Sequence, residues 1–168
     1  MRILGIDPGL HLTGYGLVEC RGVRRRLVEA GVIRLAARAP LVDRLDELYR
    51  QVNDLISELK ADHVGVEQLY AHYRHPRTAI LMGHARGVIL LAAHQHKLSI
   101  ADLPSTSVKK AITGHGRAGK TQIQRAVAAL CGLSQPPSPP DVADAIAIAW
   151  VAAGSLSQPG VRRGRRGL

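Results

Sequence analysis

Four carboxylates stand out by where they fall. Asp7 closes the short apolar run Arg2 to Asp7 and is followed by Pro8-Gly9, a turn signal. Glu67 closes a second such run, in VGVEQ. Asp141 and Asp144 lie three positions apart in PPDVADAIAIAW, a spacing that puts both side chains on one face of a helix. The carboxyl ends of strands are where open α/β sheets place their ligand crevice. If the first and fourth strands are neighbours, Asp7 and Glu67 come together there. An unpaired carboxylate taken out of water costs on the order of several kcal/mol or else protonates, so four meeting at one edge repel strongly. A divalent cation reverses that sign, and an all-carboxylate donor set favours Mg²⁺ or Mn²⁺ over zinc. Two such ions about 4 Å apart form the clamp used in phosphodiester hydrolysis, one activating water and the other steadying the departing 3′ oxygen.

Taken singly, each acid has a plainer explanation. Asp7 could begin a turn, Glu67 could sit exposed at a strand end, and Asp141 could serve the helix macrodipole, worth about 0.3–1 kcal/mol in a first turn. Asp144 resists that account, because it lies deeper in the helix and is followed by AIAIAW. The joint pattern favours a metal site.

The elements that must position these acids are legible in the periodicity. Arg2 to Asp7 reads as a buried strand, and Thr13 to Cys20 and Arg24 to Leu35 as two more, with Arg21-Gly22 turning between them, so the three form an antiparallel meander. From Leu41 to Lys60 the apolar residues recur at helical spacing. His63 to Tyr70 is a fourth strand, Thr78 to His96 a long apolar helix, and Leu98 to Leu103 a fifth strand. Lys109 and Lys110 fall near a short helix, and Gly114 to Gly119 is a loop. Lys120 to Cys131 is a helix, and a final helix takes Pro139 as its first residue. The order reads βββαβαβαα. The expected class is α/β, with a mixed five-stranded sheet, three antiparallel strands and then β-α-β alternation, flanked by helices.

The chain of 168 residues suits one domain, expected over residues 1–154, followed by a basic, disordered tail over 155–168 that contains RRGRRGL. Hydrophobic content of 46% excludes a disordered chain, and 3% aromatics with no Phe means a core of Leu, Ile, Val and Ala. The formal charge of +10 points to a polyanion, since Lys and Arg that neutralise phosphates release condensed counterions. No apolar run approaches membrane-spanning length, so no membrane role is expected. Cys20 and Cys131 form no CxxC or Cys/His cluster, which argues against a zinc site and fits a reducing compartment. With no signal-peptide pattern in MRILGID, the expected location is the cytoplasm.

With these residues in hand, the chain resembles the RuvC family, bacterial Holliday-junction endonucleases of the RNase H-like (retroviral integrase) superfamily. The likeness runs from Ile3 to about Val151 and is carried by ILGIDPGLHLTGYG, VEQLY, GHARGV, VKKAITGHGRAGKTQIQ and PPDVADAIAIA in that order. The resemblance implies an RNase H-like fold. It also implies a Mg²⁺/Mn²⁺-dependent, structure-selective endonuclease that resolves Holliday junctions in DNA recombination and repair. The expected chemistry is paired symmetric nicks by two-metal-ion hydrolysis, leaving 5′-phosphate and 3′-hydroxyl ends. By the same resemblance the catalytic, metal-binding acids are Asp7, Glu67, Asp141 and Asp144, and the essential lysines are Lys109 and Lys120. A lysine near the scissile phosphate offsets charge developing on the pentacovalent centre.

Tyr70 matches an aromatic that stacks on a base at the junction centre, a contact worth about 1–3 kcal/mol. With Tyr73, Arg74 and Arg77 it forms a DNA-contacting loop, to which Lys109, Lys110 and Lys120 add phosphate contacts. In this loop AHYRHPRTA is one residue longer than the family's usual pattern. The apolar helix Thr78 to His96 needs cover beyond the sheet, and the resemblance implies the same helix of a second subunit, a C2 homodimer. The implied partners are four-way junction DNA and the RuvA–RuvB branch-migration complex. Two other readings compete: a junction-binding scaffold without chemistry, and a kinase-like ATP-binding protein, prompted by GIDPG. The second needs two such domains around its nucleotide, more than this length supplies.

Overall fold

The computed structural model describes residues 1–69 and 76–156. Strands β1 (Arg2–Asp7), β2 (Leu12–Arg21) and β3 (Arg24–Arg34) come first, followed by α1 (Leu41–Glu58), β4 (His63–Glu67) and α2 (Pro76–Gln95). The chain continues through β5 (Ser99–Leu103), α3 (Ser105–Thr113), α4 (Lys120–Cys131) and α5 (Pro140–Leu156). The sheet order is β3-β2-β1-β4-β5. β1, β2 and β3 pair antiparallel, and β4 and β5 add in parallel. The expected mixed sheet is therefore present, with β1 and β4 as direct neighbours.

Four details differ from the sequence reading. α3 is a full helix, so three helices follow β5 and the order is βββαβαβααα. β4 ends at Glu67 rather than Tyr70, because pairing with β1 stops at Ile6–Val66 and pairing with β5 at Glu67–Leu103. The last helix begins at Pro140. Pro139 stands one residue before it, and its carbonyl accepts the Val142 N–H at 3.1 Å, the role of a cap position. α5 also runs to Leu156, two residues beyond the expected domain boundary.

Alternation along the strands divides the side chains between two layers. Leu4 and Ile6 of β1 and Val64 and Val66 of β4 point to one face and pack with Leu48, Val52 and Ile56 of α1 and Ala85, Ile89, Ala92 and Ala93 of α2. Ile3, Gly5 and Asp7, and likewise Gly65 and Glu67, belong to the opposite face, which α5 crosses.

Two glycines set how close that helix comes. A Cβ on Gly5 would lie 2.2 Å from the Ala145 carbonyl oxygen, and one on Gly14 would lie 2.1 Å from that of Asp141. No other residue fits at those points without moving α5. Burial runs almost unbroken along the helix from Val142 to Ala153, which explains its apolar composition. Among the described residues no helix is long and apolar enough to cross a membrane.

Candidate active site

Register and helix geometry together converge the four acids. In β1 and β4 the last parallel pair is Ile6–Val66, so Asp7 and Glu67 follow it side by side at the carboxyl ends of neighbouring strands. Across the antiparallel pair, Asp7 faces Gly14. Gly14 is also where the Asp141 main chain rests, so the first turn of α5 sits over Asp7's cross-strand neighbour. One turn after Asp144, Ile148 packs on Gly65, two residues before Glu67. Three chain segments thus meet at one sheet edge. The loop leaving Asp7 is stapled by buried Thr13, whose hydroxyl donates to the Gly9 carbonyl at 2.7 Å and accepts the Gly9 N–H at 3.1 Å.

The electrostatics register this convergence. Burial holds the Asp7 carboxyl well above the usual carboxylate range, and the charges of Asp144, Glu67 and Asp141 push it further up, with Lys120 opposing. Glu67 is also raised, first by burial and then by Asp144, while a hydrogen bond from Ser105 and the charge of Lys109 pull it down. Asp144 is raised by burial and by Asp141 against the pull of Lys120 and Lys109. Burial and like charge thus favour the protonated forms, and among the described residues the two lysines and one hydroxyl oppose them.

A hard divalent cation fits this arrangement. The donors are carboxylate oxygens, and their charge is only partly offset by protein groups. Among the described residues, no three His, Cys, Asp or Glu side chains are already gathered as a finished cage. The acids are neighbours in charge, with Asp144, Glu67 and Asp141 each raising the pKa of another.

Lys109 on α3 is half-buried and Lys120 is exposed at the start of α4, yet both act on the acids. Lys110, beside Lys109, is exposed, as is Arg77 at the start of α2. Tyr70, Tyr73 and Arg74 lie outside the described residues. The sequence reading missed Ser105, which bonds Glu67, and Arg86. The Arg86 guanidinium reaches the Glu67 carbonyl at 3.1 Å and Asp102 at 2.7 Å. It also missed a cavity of about 610 Å³ lined by Glu19, Arg21, Arg24, Arg25 and Arg26. Glu19 pairs with Arg2 across the sheet, so this cavity lies at the far end of β1 from Asp7 and is no part of the acid site.

Known proteins give the arrangement its context. The family model described as crossover junction endodeoxyribonuclease RuvC matches residues 3–152. A crossover junction endodeoxyribonuclease RuvC from Rhodopirellula baltica is 49% identical over 87% of this chain and 82% of its own. One from Pelotomaculum thermopropionicum is 44% identical over 89% and 90%. Among solved structures, Thermus thermophilus RuvC in complex with a Holliday junction substrate superposes with a TM-score of 0.85 at 30% identity, covering 94% of this chain and 95% of that one. The match spans every element that carries one of the four acids, and on it the chain belongs to the RuvC family of crossover junction endodeoxyribonucleases.

Proposed function

We propose that this protein cuts four-way DNA junctions by hydrolysing phosphodiester bonds at the Asp7–Glu67–Asp141–Asp144 cluster, resolving them into two duplexes. The observation that carries the reading is the shared, partly buried charge of those acids at the carboxyl edge of β1 and β4. We take the four acids as ligands of Mg²⁺ or Mn²⁺, two ions per site. When bound, such ions supply an activated water and stabilise the leaving oxygen.

The protein's own residues do the rest. The sheet edge and α5 hold the carboxylates in fixed relation. Lys120, whose charge acts on Asp7 and Asp144, and Lys109, which acts on Glu67 and Asp144, are the cations available to a phosphate approaching the cluster. Lys110 and Arg77, both exposed, add backbone contacts on the same basic protein. Tyr70, Tyr73 and Arg74 are assigned to junction contacts by family resemblance alone.

A symmetric junction calls for two incisions, hence two sites, and α2 supports a C2 dimer. Ile80 and Leu91 are 61% and 50% exposed on a helix whose other side is core. Between them Gly83, His84 and Gly87 are exposed on the same side, and an added Cβ at either glycine would meet nothing within 4 Å. An apolar stripe with small residues at its centre suits close packing against its own copy. The nuclease domain, expected over residues 1–154, then extends to the end of α5 at Leu156, and the basic residues after it act as accessory phosphate contacts. We take cooperation with a RuvA–RuvB complex and a cytoplasmic location from family resemblance alone.

The test is a synthetic four-way junction incubated with pure protein, with Mg²⁺, with Mn²⁺ and with EDTA. Symmetric, ligatable nicks that disappear in EDTA while a junction-bound band persists support the reading. Binding with no scission under any cation would leave a scaffold instead.

A further inference from the structure

Arg86 lies in the GHARGV stretch of α2, a motif to which the proposed chemistry gives no task. Its side chain is only 20% exposed, and it makes two bonds at once. Nε donates to the main-chain carbonyl of Glu67 at 3.1 Å, and a terminal nitrogen donates to Asp102 Oδ1 at 2.7 Å. The planar guanidinium can hold both because its donors are fixed in a fork.

The place of the first bond matters. Pairing between β1 and β4 has already ended at Ile6–Val66, so Glu67 stands where that ladder no longer steadies the chain. Just beyond, the Gln68 N–H donates to the Leu103 carbonyl of β5 at 2.9 Å. The peptide carrying Glu67 is therefore held by β5 and by a guanidinium from α2. The charges acting on the Glu67 carboxylate are those of Asp144 and Lys109. Arg86 reaches the main chain of that residue, so its effect is on geometry.

We propose that Arg86 is a positioning residue. By clamping the Glu67 carbonyl to Asp102 of β5, it holds the end of β4 so that the Glu67 carboxylate meets the other acids in one orientation. The inference rests on the reading of those acids as a cation site. Gly83 and Gly87, on the exposed side of the same turns, belong to the stripe assigned to the second subunit. A short length of α2 thus spans from that surface to the main chain at Glu67.

The experiment compares wild type, Arg86→Met, Arg86→Lys and Asp102→Asn in the full-length protein. Three quantities are read: the Mn²⁺ concentration at the midpoint of metal-induced thermal stabilisation, the nicking rate against Mn²⁺, and junction affinity in EDTA. Losing a group that orients a metal ligand typically costs 10–100-fold in metal affinity or activity. Arg86→Met should therefore raise the Mn²⁺ midpoint about tenfold in both assays while junction affinity stays within about twofold. Arg86→Lys should recover part of the loss, because an ammonium can still reach one acceptor. A purely structural role would lower the melting temperature and leave the Mn²⁺ midpoint of the folded fraction unmoved.

Wild-type Mn²⁺ dependence in Arg86→Met overturns the proposal. If that variant does not fold, unchanged midpoints in both Arg86→Lys and Asp102→Asn overturn it. A wild-type protein that gains no stability from Mn²⁺ refutes the cation reading itself, and this inference with it.

Discussion

Asp7→Asn should make the cation-free protein more stable while removing its response to cations. Asp7 is half-buried among three other acids, and burial and all three neighbours raise its pKa. A group with a raised folded-state pKa binds its proton more tightly in the folded chain than in the unfolded one. Its stabilising contribution is complete below the ordinary carboxylate range and is lost as pH climbs through the folded value. Glu67 and Asp144 are shifted in the same direction. Without cations, the wild type should therefore lose stability as pH rises from acid into the neutral range.

An amide at position 7 removes the charge but leaves polar atoms. Ionising a buried carboxylate costs on the order of several kcal/mol, and an unpaired amide in its place costs about 1–3 kcal/mol. The net gain is then about 1–3 kcal/mol at neutral pH. At about 2–4 °C per kcal/mol for a domain of this size, the melting temperature should rise by roughly 2–12 °C. Differential scanning calorimetry in EDTA, repeated over a Mg²⁺ series, reads both effects. The wild type should gain stability with cation by mass action, and the variant should not. A variant that melts at or below wild type in EDTA, or keeps a full Mg²⁺ response, refutes the electrostatic argument.

Three further outcomes follow from the packing and charges. Gly14→Ala drives a methyl to 2.1 Å from the Asp141 carbonyl oxygen. It should cost about 1–3 kcal/mol in chemical denaturation and sharply reduce junction nicking, by lifting α5 from the sheet edge. Leu91→Asp, on an exposed face, should leave the monomer folded by circular dichroism and halve the mass measured by light scattering. Lys120→Ala removes a charge that lowers the pKa of Asp7 and Asp144. Single-turnover nicking should then fall about a hundredfold or more, and the pH at which activity develops should move upward.

The parts of this fold that were legible in the sequence are those whose cause is local. The run ending at Asp7 is a strand because alternate residues feed two layers, and the Leu41 helix shows because one face repeats at helical spacing. Asp141 and Asp144 betray themselves by their spacing within an otherwise apolar helix. The misreadings share a different origin. β4 stops at Glu67 because its neighbours stop pairing there, and nothing in VEQLY records that. Pro139 and Pro140 are alike in sequence, and only the Pro139 carbonyl bond to Val142 tells cap from first turn.

Ser105 and Arg86 went unseen for the same reason. Each reaches Glu67 from another element, and such contacts leave no periodic trace. The closeness of α5 to the sheet was written in Gly5 and Gly14. Read along the chain, those residues resemble ordinary strand glycines until a helix is found against them.

The most direct test of the central claim is anomalous diffraction from crystals of this protein grown or soaked with Mn²⁺. The account predicts anomalous density between the carboxylates of Asp7, Glu67, Asp141 and Asp144, at ligand distance from side chains of all three chain segments. Manganese bound elsewhere, or absent from that cluster at saturating concentration, would contradict it.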